Sequence, residues 1–191
     1  VQLNIDNCAK EIAVFCDDVT AFAHPIDILT TSAFVGSYDP TPRTVFHALY
    51  KIGISVQRLA KDPEYDLRDP CHIWVSKEIA LKNKNIKRIG CVELIGRHFL
   101  SSDGFDEEQT MINSIRSYFH MLDIAAIHGV DVTTVALPLL GGGRQNSSGD
   151  TVLIPLINEC IAFLKRNPGA KNIYFIMTPL HLTHYRQKFS A

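Results

Sequence analysis

Val132 to Asp150 reads VTTVALPLLGGGRQNSSGD. The run Thr134 to Leu140 is apolar without alternation, the pattern of a strand covered on both faces. It passes directly into Gly141, Gly142 and Gly143, then into the polar run Arg144 to Ser148, and a helical pattern opens at about Asp150. Strand, glycine-rich turn and helix together form an arrangement that binds phosphate. Residues without Cβ let several backbone N–H groups point into one concavity, and a following helix start adds free N–H groups. No Walker lysine follows and the spacing is not G-x-G-x-x-G. On the glycines alone, a phosphate cradle and an ordinary tight α/β connection therefore read equally well.

Outward from this stretch, the bulk composition bounds the protein class. The chain has 191 residues, 46% apolar and 20% charged, enough for one domain with a sizeable core. A net charge of −1 gives no sign of a polyanion-binding surface as a whole. No apolar run approaches a membrane span and no signal peptide is visible, so a cytoplasmic protein with no membrane partner is expected. The first residue is Val, and residues 1–191 are read as a single domain of a longer protein. The five cysteines are Cys8, Cys16, Cys71, Cys91 and Cys160; the odd count and lack of C-x-x-C point to reduced thiols. Their spacing with histidine matches no zinc pattern, so no metal and no cofactor are expected.

Strands are predicted at Ile12 to Phe15, Ile26 to Ala33, His72 to Ser76, Ile89 to Ile95, Thr134 to Leu140 and Asn172 to Met177. Helices are predicted at Thr44 to Tyr50, Ile54 to Ala60, Glu107 to His128, Thr151 to Leu164 and Leu182 to Phe189. Thr41 or Thr44 suits the cap of the first helix, and Gly129 the end of the longest. Asp62 to Pro70, with two prolines, reads as loop, and Lys82 to Lys87 as a basic turn. Strands and helices alternate through the second half, which predicts an α/β fold with a largely parallel sheet covered by helices.

In this order the chain resembles a macro domain, the ADP-ribose-binding α/β/α module. Asp17-Asp18-Val19-Thr20 stands where the family has G-D-I-T, and Asp27-Ile28-Leu29-Thr30-Thr31-Ser32-Ala33-Phe34 where it has D-A-I-V-N-A-A-N. Val135-Ala136-Leu137-Pro138-Leu139-Leu140-Gly141-Gly142-Gly143 is close to I-A-F-P-A-I-G-T-G, including the proline three residues before the glycine. The resemblance implies a three-layer α/β/α sandwich around a central mixed, largely parallel sheet. It also implies a reader or sensor of ADP-ribose-like ligands: ADP-ribose or a related NAD-derived nucleotide, free or on an ADP-ribosylated macromolecule, with room for a fused effector domain outside this chain. The alternative within the same resemblance is an ADP-ribosyl hydrolase or related phosphoesterase.

The residues carried over are specific. Asp18 is expected to accept from the adenine amino group, with Val19 and Ser32 beside it. Gly141, Gly142 and Gly143 are expected to hold the diphosphate, Leu140 preceding them and Arg144 adding charge. Thr178 stands where the family often stacks an aromatic ring on adenine. Phe34 replaces the asparagine that places the distal ribose, and GSYDPTPRT replaces the first glycine-rich loop. Both departures predict a retained cleft with an altered catalytic end. Tyr38 and Phe34 are candidates for stacking or for packing, and Asp39 for a general base or a turn. His181 and His184, and the acidic group Asp103, Asp106, Glu107 and Glu108, read as solvated surface.

Overall fold

The two-sided apolar strands become the centre of a mixed sheet. The computed structural model describes residues 2–5, 8–80, 85–94, 107–138, 140 and 149–177. Among them the strands are β1 Gln2–Ile5, β2 Cys8–Cys16, β3 Ile26–Phe34, β4 Pro63–Leu67, β5 Ile73–Ser76, β6 Ile86–Leu94, β7 Thr134–Leu137 and β8 Asn172–Met177. The helices are α1 Val45–Lys51, α2 Val56–Leu59, α3 Arg68–Cys71, α4 Glu107–Ile127 and α5 Gly149–Arg166. The strand order across the sheet is β1-β2-β8-β7-β3-β6-β5-β4. Strands β2, β8, β7, β3 and β6 run parallel, so their C-terminal ends share one edge. Antiparallel strands close both rims, β1 on one side and β5 with β4 on the other.

Successive residues of the central strands feed opposite layers. Ile28, Val135 and Phe175 pack with Ile115, Phe119 and Leu122 of α4 and Leu156 and Phe163 of α5. Leu29, Ala136 and Ile176 pack with Phe46 and Leu49 of α1 and Val56 of α2. The result is the expected α/β/α three-layer arrangement around a mixed, largely parallel sheet. Thr44, not Thr41, caps α1 by accepting from the His47 N–H at 3.2 Å. Gly129 follows α4 with a φ of 90°, which an L side chain resists.

Several sequence readings change. Residues Pro63–Leu67 form the edge strand β4 and Arg68–Cys71 a short helix, where a loop was predicted. Proline is tolerated there because it begins a rim strand. β2 extends back to Cys8 and pairs with the unpredicted β1. Charged Lys10 hid this extension; it is buried because its ammonium donates to the Leu164 and Asn167 carbonyls at 2.5 and 2.8 Å, capping the end of α5. β7 stops at Leu137, before Pro138, whose ring nitrogen has no proton to give the ladder. The shorter helix α2 spans Val56–Leu59 within the predicted Ile54 to Ala60. The predicted helix at Leu182 to Phe189 lies outside the described residues.

One contact fixes α4 to the middle of the sheet. The Tyr118 hydroxyl lies 2.9 Å from Thr30 Oγ1 on β3, and Tyr118 is fully buried. Across the ladder from Thr30 is Gly90 on β6, and a Cβ there would overlap the Tyr118 hydroxyl and ring. Gly90→Ala is therefore expected to destabilise the fold by about 1–3 kcal/mol, the usual cost of overpacking a rigid core. Urea unfolding followed by circular dichroism measures it, and an unchanged midpoint would show that Tyr118 has room to move.

At the opposite edge of the sheet, Asp27 accepts from the Thr134 N–H at 2.8 Å and from Lys87 at 2.6 Å, which ties β3, β6 and β7 together. Lys87 also reaches Asp131 at 2.9 Å. Burial opposes ionisation of Asp131, but hydrogen bonds from Lys87 and from the Thr133 hydroxyl and N–H outweigh it and hold the pKa at about 2. An unfolded aspartate titrates near about 3.9. The folded value is the lower one, so the stabilisation is complete above the unfolded value and is lost as pH falls through about 2. Unfolding free energies measured in steps from about pH 5 downward should fall, and Asp131→Asn should flatten that slope.

Candidate functional site

The C-terminal ends of the parallel strands open into a cleft of about 1200 Å³. Open α/β sheets bind ligands at this edge because loops and unpaired backbone groups converge there. The β2 end supplies Cys16 to Thr20, β3 supplies Ser32 to Phe34, and Pro138 and Ile176 form the floor. The far wall comes from Ser37, Asp39, Thr41 to Arg43 and the exposed side of α1. Asp18, Val19, Ser32 and Phe34, separated by up to sixteen positions along the chain, thus line one cavity.

Asp18 is anchored by a local turn. Its Oδ1 accepts from the Thr20 N–H and hydroxyl at 2.8 and 2.7 Å, while the Asp17 carboxylate accepts from the Asp18 N–H at 2.8 Å. The Asp17 N–H donates to Met177 at the end of β8, which fixes the turn to the sheet edge. Among the described residues none donates to the second carboxylate oxygen of Asp18, which is exposed at the cleft. Val19 has its side chain against the α1-side core. Ser32 and Phe34 are partly buried at the end of β3.

The loop from Val35 to Arg43 is held from behind. Ser37 donates its N–H to the Phe34 carbonyl at 2.9 Å across a turn in which Gly36 has a φ of 69°. Tyr38 turns inward: it packs edge-on against Trp74 at 5.7 Å and donates its hydroxyl to Glu93, so it neither stacks in the cleft nor walls it. Glu93 is buried at the end of β6. Burial pushes its carboxyl above the usual range, and the Gly36 N–H works against that rise. The loop's two donors thus converge on one buried carboxylate, with His72 Nδ1 at 3.9 Å behind it. Asp39 is exposed at the cleft and accepts from Gln57 at 3.1 Å. His47 Nδ1 lies 3.2 Å from the Pro40 carbonyl, which can only accept, so the proton sits on Nδ1.

Other expected residues fall elsewhere. Leu140 is 2% exposed and packs into the α4–α5 side of the core. Gly141, Gly142, Gly143, Arg144 and Thr178 lie outside the described residues, as do Asp103, Asp106, His181 and His184. Cys16 is exposed at the cleft, and burial pushes the Cys91 thiol up to about 12, which leaves it protonated and unreactive at neutral pH. Among the described residues no group of His, Cys, Asp and Glu is placed to hold a metal. No helix among them is long and apolar enough to cross a membrane. Sequence reasoning missed Arg43, His47 and Lys51; their spacing of four was the available signal, but the loop before α1 hid which face would meet the cleft.

Glu93→Leu should release the loop by removing the acceptor shared by Tyr38 and Gly36, at a cost of about 1–3 kcal/mol for the stranded donors. Faster amide exchange at Gly36 is the expected reading. Glu93→Gln, which keeps an acceptor oxygen, should exchange more slowly than the leucine variant; equal rates in all three proteins would count against the clamp.

No family model matches the sequence. No curated protein matches it either. Solved structures do. The Oceanobacillus iheyensis macrodomain with ADP superposes with a TM-score of 0.65 at 11% identity, covering 100% of this chain and 94% of that one. The macro domain of ganglioside induced differentiation associated protein 2 gives 0.64 at 12% identity, covering 93% and 82%. The macrodomain of Thermus aquaticus DarG gives 0.57 at 12% identity, covering 86% and 97%. Likeness at such low identity is a statement about backbone architecture.

Proposed function

From the premise that this chain has the macrodomain fold, we propose that its cleft binds ADP-ribose or a related NAD-derived nucleotide, as a reader or sensor. The observation that carries the reading is Asp18: a carboxylate fixed by its own turn at the C-terminal sheet edge, with one oxygen left for an external donor. An adenine amino group is such a donor. The Oceanobacillus iheyensis macrodomain with ADP, and a variant of it with ADPR, are neighbours of this backbone and support the ligand class. In this reading Val19 and Ser32 flank the base end, Phe34 packs against the sugar end, and Gly141 to Gly143 with Arg144 receive the diphosphate. An ADP-ribosylated macromolecule presents the same chemical group, and a fused effector domain would turn its capture into a signal.

A hydrolase reading is weaker. Phe34 offers no amide where a ribose hydroxyl would need one. Asp39, a candidate base at the cleft, accepts from Gln57 at one oxygen. Calorimetric titration with ADP-ribose should show binding to the native chain. Asp18→Ala should weaken it by about 1–3 kcal/mol, the cost of leaving a buried polar partner unpaired. An intact variant with native affinity would remove Asp18 from the site. Substantial release of ADP-ribose from a modified protein would favour the hydrolase instead.

A further inference from the structure

One wall of the cleft carries charge that the adenine-end contacts leave unused. Arg43, His47 and Lys51 all line it, the last two one helical turn apart on α1. Arg43 and Lys51 are exposed, and neither has an ion-pair partner among the described residues. Arg58, Lys61, Lys165 and Lys171 are likewise exposed and outside any ion pair among the described residues, but none of them lines the cleft. His47 holds its Nδ1 proton toward Pro40, which turns Nε2 the other way round the ring. Arg43 is also a non-glycine residue with a φ of 68°, a conformation that glycine adopts at no cost and arginine does not. The chain tolerates that strain at a position whose side chain borders the cleft. Asp17 and Asp18 line the cleft at the β2 end, and Asp39 lines it in the loop before α1. The cleft is therefore polar, acidic at the β2 end and of mixed charge around α1. Its volume of about 1200 Å³ lies above the range of about 300–1,000 Å³ usual for a single small ligand.

We propose that Arg43 and Lys51 form an anion-binding wall that receives a phosphoryl group of a small adenine nucleotide, in addition to any phosphate held by residues 141–143. This deepens the nucleotide reading and rests on it for the adenine half. The ligand it selects is more highly charged than the base-end contacts alone require. Guanidinium and ammonium groups are the side chains suited to phosphate, and their contribution falls as salt screens them.

The test titrates AMP, ADP, ATP, ADP-ribose and inorganic tripolyphosphate into the native chain and into Arg43→Gly, Lys51→Gln and the double variant. Hydrogen bonds to charged groups predict a rise in affinity from AMP to ATP of roughly tenfold or more in the native chain at low salt. In the double variant that rise should collapse. Arg43→Gly relieves the backbone, so its melting temperature should hold or increase while its affinity for ATP drops. A merely structural arginine would not separate the two. A double variant that keeps the native AMP-to-ATP rise overturns the proposal, as does a native chain that binds ADP-ribose but gains nothing from added phosphate; in both cases the nucleotide reading survives. If no adenine compound binds, yet tripolyphosphate binds the native chain and not the double variant, the wall stands and the adenine reading fails. If the native chain binds none of the five, both are wrong.

Discussion

A hydroxyl at the middle of the sheet sets the level of everything above it. Tyr118 reaches from α4 to Thr30 on β3, and it can do so only because Gly90 on the neighbouring strand carries no side chain. An atom of side chain at Gly90 would push α4 away from the sheet. A phenylalanine at position 118 would leave the Thr30 hydroxyl without its partner in a place water does not reach. Helix α4 is the link between β6 and β7, so its seat decides how β7 enters beside β3. The parallel register β6, β3, β7, β8 follows, and with it a single edge where the strand ends stand level.

That edge is where the chemistry collects. β2 ends in a turn whose two aspartates are held by local hydrogen bonds and by Met177 of β8. β3 ends in Phe34 and a loop clamped from behind by buried Glu93. Charge of both signs lines the cleft, Asp17 and Asp18 at the β2 end, and Arg43 and Lys51 with Asp39 around α1. A net charge near zero conceals this, because opposite charges separated by the width of a cleft cancel in a sum but not in a local field. The strained backbone at Arg43 is consistent with a position kept for its side chain at some cost to stability.

The central strands could be read from the sequence because burial on both faces leaves an uninterrupted apolar run, as in Ile26–Phe34 and Asn172–Met177. The long helix could be read because Met111, Ile115 and Leu122 recur at its period. The rim could not. β4 is mostly exposed, contains acidic residues and starts on a proline, so its sequence looks like loop and only pairing with β5 makes it a strand. β2 was visible in part, since Lys10 looks like a surface residue until the α5 carbonyls it caps are in place. In the site, Asp18 stood out through its motif, whereas Tyr38 had two equal readings until Trp74 and Glu93 drew it inward.

The sequence by itself determined the layer architecture, the identity of the inner strands and the residues at the β2 and β3 ends. These follow from local pattern: hydrophobic period, caps and turn chemistry act between residues a few positions apart. Tertiary structure alone decided that residues from 16 to 52 and Pro138 and Ile176 share one cleft, that Leu140 belongs to the core, and that Arg43 and Lys51 line the same cleft as Asp17, Asp18 and Asp39. Those facts depend on which strands lie side by side. The pairing of β3 with β7, more than a hundred positions apart, is set by the summed packing of two layers, and no short segment carries it.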